Sequence, residues 1–287
     1  MKKRKGLSYN LINLCVLGLT LFLFVNAYVL PGAFAEFFDP EGIPVLILTA
    51  LLVHAVKALR LYLALYGLDM SRSACMKLYC KVTPVSVVLP WKLGEFFRIY
   101  CCGAELGSFL KGIVIILLDR VFDTVALVTM ILLVWLFSGG VLPPLIYALL
   151  IFLGLVLLMY FAFPGMHEVW KHYLLSSKAT ANKLAMLKFL DGTFRVYREI
   201  KGVLHGRGCL LYILSVLAWA AEIGSLVLLQ GAKGSIGETV SRYLSAALGM
   251  GDSPELKRFV VFTILLLILA YILIKLAEMA AVKRSKR

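Results

Sequence analysis

Six apolar runs constrain this chain more than any motif in it: Leu11–Leu30, Ile43–Tyr66, Ile113–Phe137, Leu145–Phe163, Leu210–Leu229 and Phe259–Ala281. A helix needs roughly 20 consecutive apolar residues to cross the hydrocarbon layer. Each run is long enough for that, and in hydrocarbon a helix satisfies its own backbone amides. The 61% hydrophobic content and mean hydropathy of +0.91 lie far outside the range of a soluble domain. The longest stretch without a crossing, Pro164 to Gly208, leaves no room for a separate soluble domain.

Lys and Arg in short loops set the expected orientation. The ends "MKKRK" and "VKRSKR" are strongly basic and predict both termini in the cytoplasm, with the chain multi-pass in the plasma membrane. The loop "PGAFAEFFDPEG" has three acids and no base, and is expected outside. "GLDMSRSACMKLYCK" is basic again. Pro164 to Gly208 carries eight Lys or Arg after His167 and few acids, Asp191 and Glu199 among them. Six crossings satisfy all of these loops only if the stretch "LPWKLGEFFRIYCC" (89–102) enters the membrane and leaves on the same side. Leu11–Leu30 lacks a short small-residue cleavage pattern and reads as an anchor, not a cleaved signal. The cysteines at 15, 75, 80, 101, 102 and 209 have no zinc-like spacing and fall in spans or on the cytoplasmic side, where thiols stay reduced. No metal or cofactor is expected.

An internal repeat organises the rest. "KLGEFFRIYCCGAELG" from Lys92 and "SIGETVSRYLSAALG" from Ser235 share Leu or Ile, then Gly-Glu, then Arg four or five residues after the glycine, then a closing Leu-Gly. Each copy sits between two crossings, and the two units start on opposite sides. The expected fold is therefore an all-α polytopic integral membrane protein with about six transmembrane helices and two re-entrant broken segments in an inverted repeat. Its parts are an anchor helix and exterior loop (1–42), a first repeat (43–138, re-entrant over 82–104), a spanning helix with a cytoplasmic basic region (139–207), and a second, inverted repeat (208–287, re-entrant over 231–250). Inverted repeats with interrupted segments are the sequence sign of a transporter with its site near the midplane.

Charged residues at membrane depth mark that site. Pro84, Pro90 and Gly94 are expected to break a helix, with Gly234 and Gly237 as the equivalent breaks in the second unit. Glu95 and Arg98 follow on one face at spacing three. "LLDRVFDTV" places Asp119, Arg120 and Asp123 inside a span, where each charge costs roughly 2.5–3.5 kcal/mol unless it is paired. Glu222 lies alone near the middle of its span, and Glu238 opens the second Gly-Glu segment. His54, Lys57 and Arg60 form a stripe on the second crossing, whose two cations can snorkel to the surface. For each acid the alternative is a buried pair that only fixes helix packing. From Leu184 on, Leu187, Leu190, Phe194, Tyr197, Ile200 and Leu204 recur at helical spacing, with Lys183, Lys188, Arg195, Arg198 and Lys201 on other faces. This pattern predicts an amphipathic basic helix on an anionic leaflet.

"VVLPWKLGEFFRIY" followed by "VIILLDRVFDTVAL" resembles the membrane region of lysylphosphatidylglycerol synthases and the related stand-alone flippase-like proteins. The matching positions are Pro90, Gly94, Glu95, Arg98, Asp119, Arg120, Asp123, Trp219, Glu222, Gly234, Gly237 and Glu238. The family's second Gly-rich segment usually carries a proline, where this chain reads "GAKGSIGE". The resemblance implies movement of anionic or aminoacylated phospholipid, or related lipid-linked cargo, between leaflets. Arg98 and Arg120 would hold phosphate; Glu95, Asp119 and Asp123 would hold a cationic head group or fix the arginines; Glu222 and Glu238 would serve the outer half. Only six residues follow the last crossing, so the soluble aminoacyltransferase domain of full-length synthases is not expected, and neither is enzyme activity. The rival reading is a membrane subunit that docks a cytoplasmic lipid-modifying enzyme through residues 166–207. No nucleic-acid partner is expected, and an intramembrane hydrolase using Asp119 and Asp123 is the weakest reading, since no H-E-x-x-H, nucleophile elbow or P-loop occurs.

Overall fold

The computed structural model describes residues 7–29, 42–68, 70–89, 93–138, 142, 144–176, 180–230, 236–247 and 254–285. These form ten α-helices: α1 (Leu7–Phe24, continued by a π-helical turn, Val25–Val29), α2 (Ile43–Leu65), α3 (Arg72–Val88), α4 (Leu93–Leu106), α5 (Phe109–Ser138), α6 (Pro144–Ser176), α7 (Ala181–Leu204), α8 (Gly208–Gln230), α9 (Ile236–Ala247) and α10 (Pro254–Ser285). Among the described residues, six helices are long and apolar enough to span a bilayer: α1, α2, α5, α6, α8 and α10. They are the six runs of the sequence. The expected breaks at Pro90 and Gly234 and the acidic loop up to residue 41 lie outside the described residues.

Local chemistry fixes where these helices start. Ser71 caps α3 by accepting from the Ala74 amide, and Thr180 caps α7 by accepting from that of Lys183. Pro44 stands in the first turn of α2, where its missing N–H goes unneeded. Gly107, at φ +65, makes the short left-handed turn between α4 and α5 that a side chain would disfavour.

α3 and α4, with 17 and 14 residues, are shorter than a span requires and pair as an antiparallel hairpin. Near its tip a Cβ on Gly94 would fall 2.3 Å from Ser86 Cα, so only glycine permits this approach. The hairpin's second arm meets α5 just as closely: a Cβ on Gly112 would lie 2.7 Å from the Gly103 nitrogen. Gly94 is thus a contact point within the first turn of α4, and Pro84 lies inside an unbroken α3. Both depart from the expectation of helix breaks there. α6 runs on past the apolar run to Ser176, with Pro164 inside it. Rings of α7 brace it on either side of that proline: Tyr197 lies 5.5 Å from Phe163, and Phe194 stacks on His167 at 4.2 Å. The expected basic helix is present as α7, but part of its apolar side rests on α6, not on lipid.

α2 and α8 form the central pair. Arg207, just before α8, donates to the Tyr66 carbonyl at the end of α2 (2.6 Å), and Lys57 meets Glu222 further along, so the two helices are antiparallel. A cation at those terminal carbonyls also complements the helix dipole. α10 packs on α2 and α3, while α5 packs on α8 and α4.

Two apolar layers fill the bundle. One joins Leu61, Leu65, Val82, Val85, Phe97, Ile115 and Leu211. The other joins Leu127, Ile131, Ile146, Trp219, Leu226 and Tyr243 around α5, α6, α8 and α9. On α5 the charged residues Asp119, Arg120 and Asp123 lie between these layers in chain order. Exposed side chains such as Phe161 and Leu158 on α6 face outward, as a lipid-facing surface requires.

Candidate functional site

A cavity of about 190 Å³ lies within the bundle, lined by side chains of α2, α3, α4, α5, α8 and α10. Among the described residues its charged lining is four bases, Lys57, Arg60, Arg98 and Arg120, and four acids, Glu95, Asp119, Asp123 and Glu222. Six of these residues are the predicted ones on α4, α5 and α8, gathered from positions far apart in the chain.

Asp119 is the hub. Arg60 Nη2 lies 2.7 Å from Oδ1, while Arg98 Nη2 (3.0 Å) and Arg120 Nη2 (2.9 Å) share Oδ2. Three cations around one carboxylate compensate its removal from water, which an isolated buried charge could not survive. Arg60 also reaches Asp123 at 2.9 Å and donates to Ser215 Oγ at 2.7 Å, so one guanidinium joins α2, α5 and α8. The expected Arg120–Asp123 pair is present but longer, at 3.8 Å.

A second group lies beside it. Lys57 Nζ is 2.6 Å from Glu222 Oε1 and 5.6 Å from the Trp219 ring centre, and Tyr243 of α9 donates to Glu222 Oε2 at 3.2 Å. His54 links α3 to α10, with Nδ1 2.7 Å from the Tyr79 hydroxyl and Nε2 3.1 Å from Thr263 Oγ1.

Glu95 is held differently. Its contacts to Arg98 (3.5 Å) and Arg120 (3.6 Å) are too long for good hydrogen bonds. Its buried Oε2 has no hydrogen-bond partner, and neither have the Nε atoms of Arg60, Arg98 and Arg120. Among the charged lining residues Arg120 is 42% exposed, Glu95 and Lys57 20% each and Asp123 18%, whereas Arg98 is only 3% exposed. Of the two arginines beside Glu95, Arg120 is thus the more accessible, while Arg98 is buried and occupied by Asp119.

Glu238 does not join the site. It is exposed in the first turn of α9 and absent from the cavity lining, while Tyr243, five residues on and so about 140° around the helix, faces inward. Gly237 falls in the first turn of α9. Lys57 and Arg60 were open to a snorkelling reading from sequence; instead Arg60 is 2% exposed and Lys57 20%. The shared face of His54, Lys57 and Arg60 on α2 was a signal visible in the sequence, but the separate inward partners of each were not. Tyr243 carried no such signal, since tyrosine serves equally well on a lipid-facing surface. Among the described residues, no group of His, Cys, Asp and Glu is arranged to hold a metal.

Spanning helices around a buried, charge-paired cavity define a polytopic helical membrane protein with a polar site inside its bundle. Residues 10–250 match the model of the lysylphosphatidylglycerol synthase TM region, and the chain belongs to that family. Comparison with curated proteins and with solved structures finds no match.

Proposed function

We propose that the chain is a flippase-like transporter that passes the head group of an anionic or aminoacylated phospholipid through this cavity while the acyl tails stay in hydrocarbon. The observation that carries the reading is the pair Arg120 and Glu95, the most exposed cation and the most loosely held acid of the described charged lining. At about 190 Å³ the space is below the roughly 300 Å³ at which pockets take whole drug-sized ligands, which suits a head group and excludes the tails. Arg120 would meet the phosphate, and Glu95 an amino group only where the lipid carries one. The packing of α10 on α2 and of α5 on α8 supports the repeat, because the last helix of each unit lies against the first helix of the other. The same reading places both termini in the cytoplasm of a plasma-membrane protein, the α3–α4 hairpin as re-entrant, and no enzymatic step.

The test is reconstitution in liposomes with a fluorescent phosphatidylglycerol in the inner leaflet and an external quencher. Wild type should scramble the lipid, and Arg120→Ala and Glu95→Ala should abolish it while remaining folded. Equal rates in wild type and both variants would remove the cavity from the path. A second reading, docking of a cytoplasmic lipid-modifying enzyme, draws on α7, none of whose residues is buried. Deleting α7 should then cost more than either cavity variant.

A further inference from the structure

Among the described residues the lining is charge-balanced, with four bases against four acids, and a charge at this depth is costly unless compensated. A lipid phosphodiester brings one negative charge. Its arrival unbalances the cavity by one unless a carboxylate there becomes neutral.

The geometry singles out which carboxylate gives way. Asp119 has three cationic contacts between 2.7 and 3.0 Å, and Asp123 keeps Arg60 at 2.9 Å. Glu222 is held by Lys57 at 2.6 Å and by the Tyr243 hydroxyl. Glu95 has only long contacts, and they go to Arg98 and Arg120, the same guanidiniums an entering phosphodiester would take. Its Oε2 is buried with no hydrogen bond to lose. The other titratable groups lining the cavity near it are Tyr79 of α3 and His54 of α2, and these already bond to each other at 2.7 Å.

We propose that binding of a monoanionic phosphodiester at Arg120 and Arg98 displaces Glu95 and takes up one proton on it, so that one anionic head group and one proton enter the cavity together. This rests on the transport reading for the identity of the ligand. A carboxylate separated from its cations in a poorly solvated cavity holds a proton in preference to a charge. The proton comes from the aqueous phase that the cavity meets and resides on a Glu95 carboxylate oxygen; no bond to the lipid forms. The complex then carries the same net charge as the empty cavity.

The sign of the linkage follows. A proton gained on binding makes affinity highest at low pH and weakens it as pH rises, by up to tenfold per unit for one proton. The probe is dihexanoyl-phosphatidylglycerol, whose phosphodiester keeps a single negative charge from pH 5.5 to 8, titrated against the detergent-solubilised full chain. Wild type should bind progressively more weakly with rising pH, and Glu95→Gln should bind with no pH dependence. A flat wild-type profile, a slope retained in Glu95→Gln, or no binding at any pH would each overturn the proposal. A companion assay follows lipid movement in liposomes with an entrapped pH dye. Lipid movement with pH-independent binding sinks the proton step and spares the transport reading. Proton-linked binding without lipid movement sustains the proton step and sinks the transport reading.

Discussion

Arg60 Nη2 approaches Asp119 Oδ1 to 2.7 Å, with both side chains 3% exposed or less. Replacing Arg60 by methionine leaves Asp119 and Asp123 short of a shared partner and Ser215 without its donor. Breaking a buried pair from one side costs about 3–5 kcal/mol. Arg60→Met should therefore show a large loss of thermal stability in detergent, measured by size-exclusion recovery after heating. Arg120→Met, at a side chain 42% exposed, should lose much less.

The Tyr243 hydroxyl ties α9 to Glu222. A hydrogen bond to a charged group contributes about 1.5–3 kcal/mol, so Tyr243→Phe should lower the melting temperature measurably. Glu238→Ala, on the exposed side of the same helix, should stay within about 0.5 kcal/mol of wild type.

Gly112→Ala would put a methyl group 2.7 Å from the Gly103 nitrogen, backbone that has no room to rotate aside. Overpacking of this kind costs about 1–3 kcal/mol. Gly154→Ala, with nothing within 4 Å of the new Cβ, should instead gain up to about 1 kcal/mol of helix propensity. Thermal melts of the two variants should move in opposite directions.

Lys57 and Glu222 lie 165 residues apart in sequence and 2.6 Å apart in space. Lys57→Met and Glu222→Gln should each destabilise the fold. The double variant should lose less than their sum, because each single change strands a charge that the double removes. Additive losses in a double-mutant cycle would show that the two side chains do not interact.

How much of this was legible depends on the range of the information. A spanning helix is specified within its own 20 residues, so the apolar runs located all six. Asp119, Arg120 and Asp123 stood out because hydrocarbon makes any charge anomalous. Pairing is not local: Arg60 meets Asp123 across 63 residues of chain, and nothing in α2 alone separates an arginine that snorkels from one that binds inward. Gly94 looked like a break because glycine is a poor helix former, whereas its role is set by the backbone of α3 pressing against it. Pro84 was misread for a related reason, since proline is disfavoured inside helices but tolerated where neighbouring helices hold the chain in place.

The equal count of bases and acids in the cavity also limits the reach of its field. Opposite charges held a few ångströms apart cancel at longer range, so the cavity exerts little pull on a lipid still in the open bilayer. Long-range attraction requires uncompensated charge, and α7 exposes Lys188, Arg195, Arg198 and Lys201. On the proposed function, drawing acidic lipid toward the protein and selecting its head group would be separable tasks. Added salt should weaken the first, through the exposed bases, far more than the second.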